Sequence, residues 1–286
     1  MFIYSFYHYN FLIQFPLSLR KERKGFSGQM IRSLLLLTIL FVSLFGCSHP
    51  KENRDVLFQT STINALLEGV YDGNTTFKEL KEHGDFGIGT FNGLDGEMIG
   101  LENKFYQIKA DGKVYPVDDG MKTSFAMVTF FEPDKTVLLD KSMDCKQMEQ
   151  YVDNLLPTQN IFYAVRIEGD FTYIKTRSVP RQNKPYLRLV EVVKSQPTFE
   201  FHNVKGTIGG FWLPDYMKGI NVPGYHFHFI TDDKKAGGHL LDCKVKDVRI
   251  EIDYTPSFYI ILPGQGEFYK TDLTRGKQKE LERVEK

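Results

Sequence analysis

Apolar and polar residues alternate along most of this chain, and a helical period appears only in short stretches. From Thr60, residues Ile63, Leu66, Leu67 and Val70 fall at the spacing of one helix face, with Gly73 as the stop. Thr76 followed by Glu79 has the form of a capping box and predicts a second short helix ended by Gly84. Strand patterns follow at 87–91, 96–101 and 105–108, and Asp111-Gly112 predicts a hairpin turn into 113–117. Residues 125–131 and 136–139 read as two more strands. Asp144 is placed to cap a helix carrying Met148, Tyr151, Val152 and Leu155 on its apolar face. Residues 161–168 and 171–178 predict a hairpin turning at Gly169-Asp170. After a break at 180–185, residues 187–194 read as a short helix. Strands resume at 198–202, 206–212, 225–231, 239–245, 248–254 and 258–262, and the tail from Lys277 is charged and helix-prone. The expected class is α+β: predominantly antiparallel or mixed β-sheet with a few short helices, in two sheet layers or subdomains with a join near residues 180–190.

The first fifty residues break this pattern. Residues 34–45 form an almost unbroken apolar run, with Arg32 before it and Gly46, Cys47 and Ser48 after it. A basic residue, a short apolar core and a small-residue exit are the parts of a secretory signal. The run is shorter than the roughly 20 residues that span a bilayer. Leu44-Phe45-Gly46-Cys47 resembles a bacterial lipoprotein processing site, which makes Cys47 the lipidated first residue of the mature chain. The alternative is an uncleaved N-terminal anchor helix. Met30 offers a second start. The organisation expected is a leader over residues 1–50, a short charged linker at Lys51–Asp55, and one domain over 51–286. The location expected is the cell envelope, lipid-anchored outside the cytoplasm, with a cytoplasmic location as the alternative.

Composition narrows the function classes. The chain carries 36 Lys and Arg against 36 Asp and Glu, interspersed, so it lacks the basic stripe of a nucleic-acid binder. Beyond Cys47, only Cys145 and Cys243 remain, far apart and without a Cys-x-x-Cys spacing. They read as two buried small hydrophobes, with a disulfide as the alternative outside the cytoplasm.

The chemistry concentrates in Gly224-Tyr225-His226-Phe227-His228-Phe229, followed by Gly237-Gly238-His239. On a strand, alternate side chains share a face, so His226 and His228 stand together, roughly 6–7 Å apart at Cα. Phe227 and Phe229 then turn the other way, into a core. The polar run Asp232-Asp233-Lys234-Lys235 suits a loop, and a hairpin centred between Asp233 and Lys234 places His239 opposite His228. Three imidazoles on one face suit a borderline cation such as Zn²⁺, and three histidines leave positions open, as a catalytic site requires. The same arrangement occurs in cupin-type barrels that host oxygenases, isomerases and binding proteins, so the metal alone does not name a reaction.

Several stretches resemble the α-acetolactate decarboxylase family: 94–98 (LDGEM), 175–180 (KTRSVP), 199–201 (FEF), 204–207 (VKGT), 219–229 (GINVPGYHFHF) and 237–239 (GGH). The resemblance runs from about residue 56 to the end of the chain. It implies a zinc carboxy-lyase that converts 2-acetolactate to acetoin and CO2, and suggests a homodimer. It assigns the zinc to His226, His228 and His239, a glutamate near the active site to Glu97, an arginine to Arg177, and a metal-reaching glutamate to Glu285, with Glu280 and Glu282 as its neighbours in sequence. Pattern alone does not separate Arg177 from Arg166 and Arg181; the surrounding Thr-Arg-Ser-Val-Pro does. Two other functions stay open: a metal-dependent enzyme for a different 2-hydroxy-3-keto acid, and a non-catalytic, membrane-tethered metal-binding lipoprotein. Trp212 is expected in the core or an interface.

Overall fold

The computed structural model of the protein describes residues 53–285. The apolar run at 34–45, Cys47 and the second start at Met30 lie outside the described residues.

Two β-sheets and a few short helices form the fold. The first sheet has seven strands: β1 (Val56–Thr60), β2 (Phe86–Thr90), β3 (Glu97–Leu101), β4 (Lys104–Ile108), β5 (Val114–Pro116), β6 (Ala126–Thr129) and β13 (Ser257–Ile261), ordered β13-β1-β6-β2-β3-β4-β5. The second contains β7 (Lys135–Leu139), β8 (Met143–Asp144), β9 (Phe162–Arg177), β10 (Thr198–Leu213), β11 (Gly224–Thr231) and β12 (Gly237–Thr255). Among the described residues five α-helices accompany them: α1 (Ile63–Leu67), α2 (Phe77–Lys81), α3 (Cys145–Asp153), α4 (Leu189–Val192) and α5 (Gln278–Glu285).

Local chemistry explains the helix starts. Thr62 caps α1, while Thr76 with Glu79 and Asp144 with Gln147 close capping boxes on α2 and α3. Helix α1 is shorter than its apolar period suggests, because Gly69 turns the chain at φ +85°. Ahead of it, β1 begins directly after the expected linker, where no strand was expected; it pairs parallel with β13 and antiparallel with β6. Its register comes from partners distant in sequence, so no local signal announced it.

The largest correction is at Gly169-Asp170. No hairpin forms there: β9 runs unbroken through both residues, paired with β10 on one edge and β12 on the other. A Cβ on Gly169 would lie 2.2 Å from the Asp247 carbonyl oxygen, at a register shift in β12. The glycine therefore marks a bulge and a close backbone approach rather than a turn. Likewise 198–202 with 206–212, and 239–245 with 248–254, are halves of single long strands, β10 and β12. Nor do residues 180–190 divide the sheets. Strands β7 and β9 precede that stretch yet lie in the second sheet, and β13 follows it yet lies in the first.

The cysteines correct a further expectation. Cys145, at the first turn of α3, and Cys243 on β12 form a disulfide with a Cα–Cα distance of 4.9 Å. Pairing of β8 with β12 brings Asp144 opposite Lys244 and so delivers Cys145 to its partner.

The sheets pack face to face, with Phe86, Ile88, Ile99, Ile108, Phe211 and Ile230 between them. Phe227 and Phe229 turn away from the histidines into a second cluster with Phe171 and Trp212, so Trp212 belongs to the core. Helices α1, α4 and α5 gather at one end around Ile63, Leu66, Leu189, Leu281 and Val284.

Candidate metal centre and active site

The pairings among β9, β10, β11 and β12 close into a ring, and that closure assembles the site. His228 pairs with His239 across β11 and β12, and His239 pairs with Arg177 across β12 and β9. Directly opposed residues share a face. His228, His239 and Arg177 therefore stand in one row, with His226 two residues along β11 on the same side. Ring centroids of the three imidazoles lie 5.0–5.4 Å apart, and one ligand atom from each lies within 4.8 Å of the others.

The first sheet supplies the rest. Glu97 opens β3 after a tight turn in which Leu94 sits at φ +53° and Gly96 at φ +89°. Gly96 has no substitute here, because a Cβ would lie 2.2 Å from the Ile108 carbonyl oxygen. Thr90 pins the turn by donating to the Gly96 carbonyl at 2.7 Å. The Met98 carbonyl lies 2.7 Å from His228 Nδ1 and accepts from it, which leaves His228 Nε2 unprotonated toward the cluster. Glu97 Oε2 lies 3.7 Å from His228 Nε2. Its Oε1 accepts from Arg177 Nη1 at 2.8 Å and from the Val179 amide at 3.3 Å. From α5, Glu285 Oε2 reaches within 3.6 Å of His226 Nε2 and 3.7 Å of His239 Nε2.

All six expected residues thus converge, and the rivals go elsewhere. Arg166 pairs with Glu251 on the sheet at 2.7 Å, and Arg181 is largely exposed beside Asp95. Glu280 pairs with Arg188 at the surface, and Glu282 accepts from Gln278. Sequence reasoning missed the Met98 carbonyl, the Val179 amide and the Val284 carbonyl, which accepts from Arg177 Nη2 at 3.2 Å. Main-chain groups carry no residue-type signal. It also missed the apolar wall of Ile63, Leu66, Leu94, Phe125 and Leu189 that faces the polar groups across a cavity of about 30 Å³.

Burial dominates the electrostatics. It lowers the His226 pKa to about 3, helped by the Arg177 charge, and holds His228 and His239 well below the usual imidazole value. All three are neutral at pH 7, the form that binds a metal. Burial also pushes Glu97 up to about 7 against the pull of Arg177, and Glu285 up to about 7 likewise.

The donors fit a divalent metal. Glu285 Oε2, which faces His226 Nε2 and His239 Nε2, is buried and has no hydrogen-bond partner among the described residues. Such groups are costly unless something binds them. Zinc takes imidazole and carboxylate donors at about 2.0–2.2 Å, so neighbouring donors around one ion stand roughly 3.3 Å apart. The 3.6 and 3.7 Å separations at Glu285 come close to that.

Known proteins agree with this architecture. The sequence pattern described as alpha-acetolactate decarboxylase matches residues 57–275. A Methanosarcina mazei protein named alpha-acetolactate decarboxylase is 53% identical over 232 residues, 81% of each chain. A Bacillus subtilis protein of the same name is 44% identical over 217 residues, 76% of this chain and 85% of its own. The crystal structure of alpha-acetolactate decarboxylase from Bacillus subtilis strain 168 superposes with a TM-score of 0.79 at 43% identity, covering 80% of this chain and 99% of that one. By sequence and by fold together, this chain belongs to the alpha-acetolactate decarboxylase family.

Proposed function

We propose that this protein is a zinc-dependent carboxy-lyase that converts 2-acetolactate to acetoin and CO2, with the metal held by His226, His228, His239 and Glu285. The observation that carries the metal site is the buried, neutral imidazole triad beside an unpartnered carboxylate oxygen. Loss of CO2 breaks the bond between the carboxylate carbon and the hydroxyl-bearing carbon and leaves an enediolate. A zinc ion bound to these donors supplies a Lewis acid for the negative charge on the substrate oxygens. Arg177 keeps a free donor: its Nε is buried with no partner among the described residues, available to orient the substrate carboxylate. Glu97, whose carboxyl burial pushes up against the pull of Arg177, is placed beside the cluster to return a proton to carbon and complete acetoin. The apolar wall takes up the substrate methyl groups and excludes water from the enediolate.

The same reading places the enzyme outside the cytoplasm, tethered through a lipidated Cys47. The Cys145–Cys243 disulfide supports it, since such bonds persist in oxidising compartments. Labelling cells with a radioactive fatty acid tests the tether: label on the wild type and none on Cys47→Ser is expected, and equal label on both removes it.

The function is tested by measuring acetoin formed from racemic acetolactate by the purified protein, after chelation and after zinc is restored. Acetoin formation lost on chelation and recovered with zinc is the expected result. A folded, zinc-loaded protein that forms no acetoin overturns it. Release of CO2 from another 2-hydroxy-3-keto acid would then point to a different substrate, and no release at all to a metal-binding lipoprotein.

A further inference from the structure

The inner cavity, on the Glu97 and Arg177 side of the histidine cluster, is too small for its substrate as it stands. The inner cavity measures about 30 Å³, room for about one or two waters, and a five-carbon hydroxy-keto acid needs several times that. For substrate to meet Glu97 and Arg177 there, one wall must move. On the strand side the walls are β2, β3, β9, β11 and β12, locked by continuous ladders. Helix α5 belongs to neither sheet. It rests on the site through Leu281 and Val284 and through the hydrogen bond from Arg177 to the Val284 carbonyl. Its last described residue, Glu285, lines the inner cavity and also an outer groove of about 870 Å³ together with His226 and His239. Glu285 is thus part of the partition, and displacing α5 joins cavity to groove.

A charged clasp holds this helix at its far end. Arg188, just before α4, pairs with Glu68 at 2.8 Å and with Glu280 on α5. Lys277, just before α5, pairs with the same Glu68 oxygen. Glu68 follows α1, so the clasp ties α5 to both other helices that line the cavity. Its members stand outside the cavity lining and touch none of the histidines.

We propose that Arg188 is a positioning residue, which through this clasp holds α5 as the movable wall of the active site: closed, the helix presents Glu285 to the histidines; open, it admits the substrate. The inference rests on the decarboxylase reading for the size of the substrate and the choice of probe. The two Arg188 pairs are partly exposed and so individually weak, so the clasp is strong enough to favour closure and weak enough to open.

The test compares the full-length, zinc-loaded wild type with Arg188→Ala and Arg188→Lys, none of which alters the sequence of residues 278–285. Amide hydrogen exchange is followed across α5, and stopped-flow association is measured with the 3-hydroxy reduced analogue of 2-acetolactate, which cannot lose CO2. Arg188→Ala is expected to speed both exchange in α5 and association of the analogue about three- to fivefold, the scale of losing two partly exposed ion pairs. Arg188→Lys, which keeps the charge, is expected to lie between. Faster exchange with unchanged association would mean that ligand enters elsewhere and would overturn the gate, as would unchanged exchange in α5. A wild type that binds zinc but not the analogue would count against the decarboxylase reading instead, and the exchange comparison, made without ligand, still decides whether Arg188 holds α5 in place.

Discussion

At Arg177 one guanidinium meets three demands: Nη1 donates to Glu97, Nη2 to the Val284 carbonyl, and Nε has no partner among the described residues. Burying the Arg177–Glu97 pair is poor economy for stability, because desolvation offsets most of the Coulomb attraction. Its value is positional, since it fixes one Glu97 oxygen and leaves the other facing His228. Replacing Glu97 by glutamine keeps the volume and removes the transferable proton. Acetoin formation by Glu97→Gln is expected to fall by about 10²–10⁴, the usual contribution of a general acid. Zinc content, read by atomic absorption, is expected to stay at the wild-type level, and full turnover would remove Glu97 from the mechanism.

Between elements, the disulfide decides how α3 sits on the sheet. It ties the first turn of α3 to β12 four residues beyond His239 and closes a sequence separation of 98 residues. A loop of this length restricts the unfolded chain strongly, so the Cys145→Ser/Cys243→Ser double variant is expected to lose about 2–4 kcal/mol of stability in urea titration. The histidine row depends on the β9–β12 ladder rather than on α3, so zinc binding by the variant is expected to persist. A variant as stable as the wild type would show that the bond adds nothing to the strand pairing already present.

For the whole molecule, pH dependence has an identifiable source at the join of the two sheets. Asp253 on β12 is buried, and its pKa rises from 3.8 to about 7, chiefly through burial, with Asp134, Asp55 and Glu132 adding repulsion and the Glu132 amide opposing it. The nearby Arg54 is engaged with Glu132 at 2.8 Å. An acid whose folded pKa exceeds its unfolded value binds its proton more tightly in the folded state. Stability is therefore undiminished below the unfolded value and is lost as pH rises toward 7. Asp253→Asn is expected to match the wild type near pH 4 and to exceed it at pH 8, by on the order of 2–4 kcal/mol. Urea denaturation at the two pH values checks this; an equal difference at both would assign the effect to packing.

Local chemistry alone settled much of this protein. The capping boxes of α2 and α3, the antiparallel pairing of β2 to β4 in sequence order, and the register that sets His239 against His228 all follow from interactions within a few residues or across one short loop. The family motifs selected Glu97, Arg177 and Glu285, which pattern could not separate from their neighbours. Other features needed the folded chain. Gly169 reads as a turn until β12 lies against it, because a bulge and a turn ask the same freedom of a glycine. Strand β1 exists only because β13 and β6 flank it. Likewise the Met98 carbonyl, the Val179 amide and the apolar wall over the cavity become parts of a site only when two sheets and the helical end meet. Contacts of this kind join residues far apart in sequence, and they arise from packing and strand pairing rather than from local periodicity.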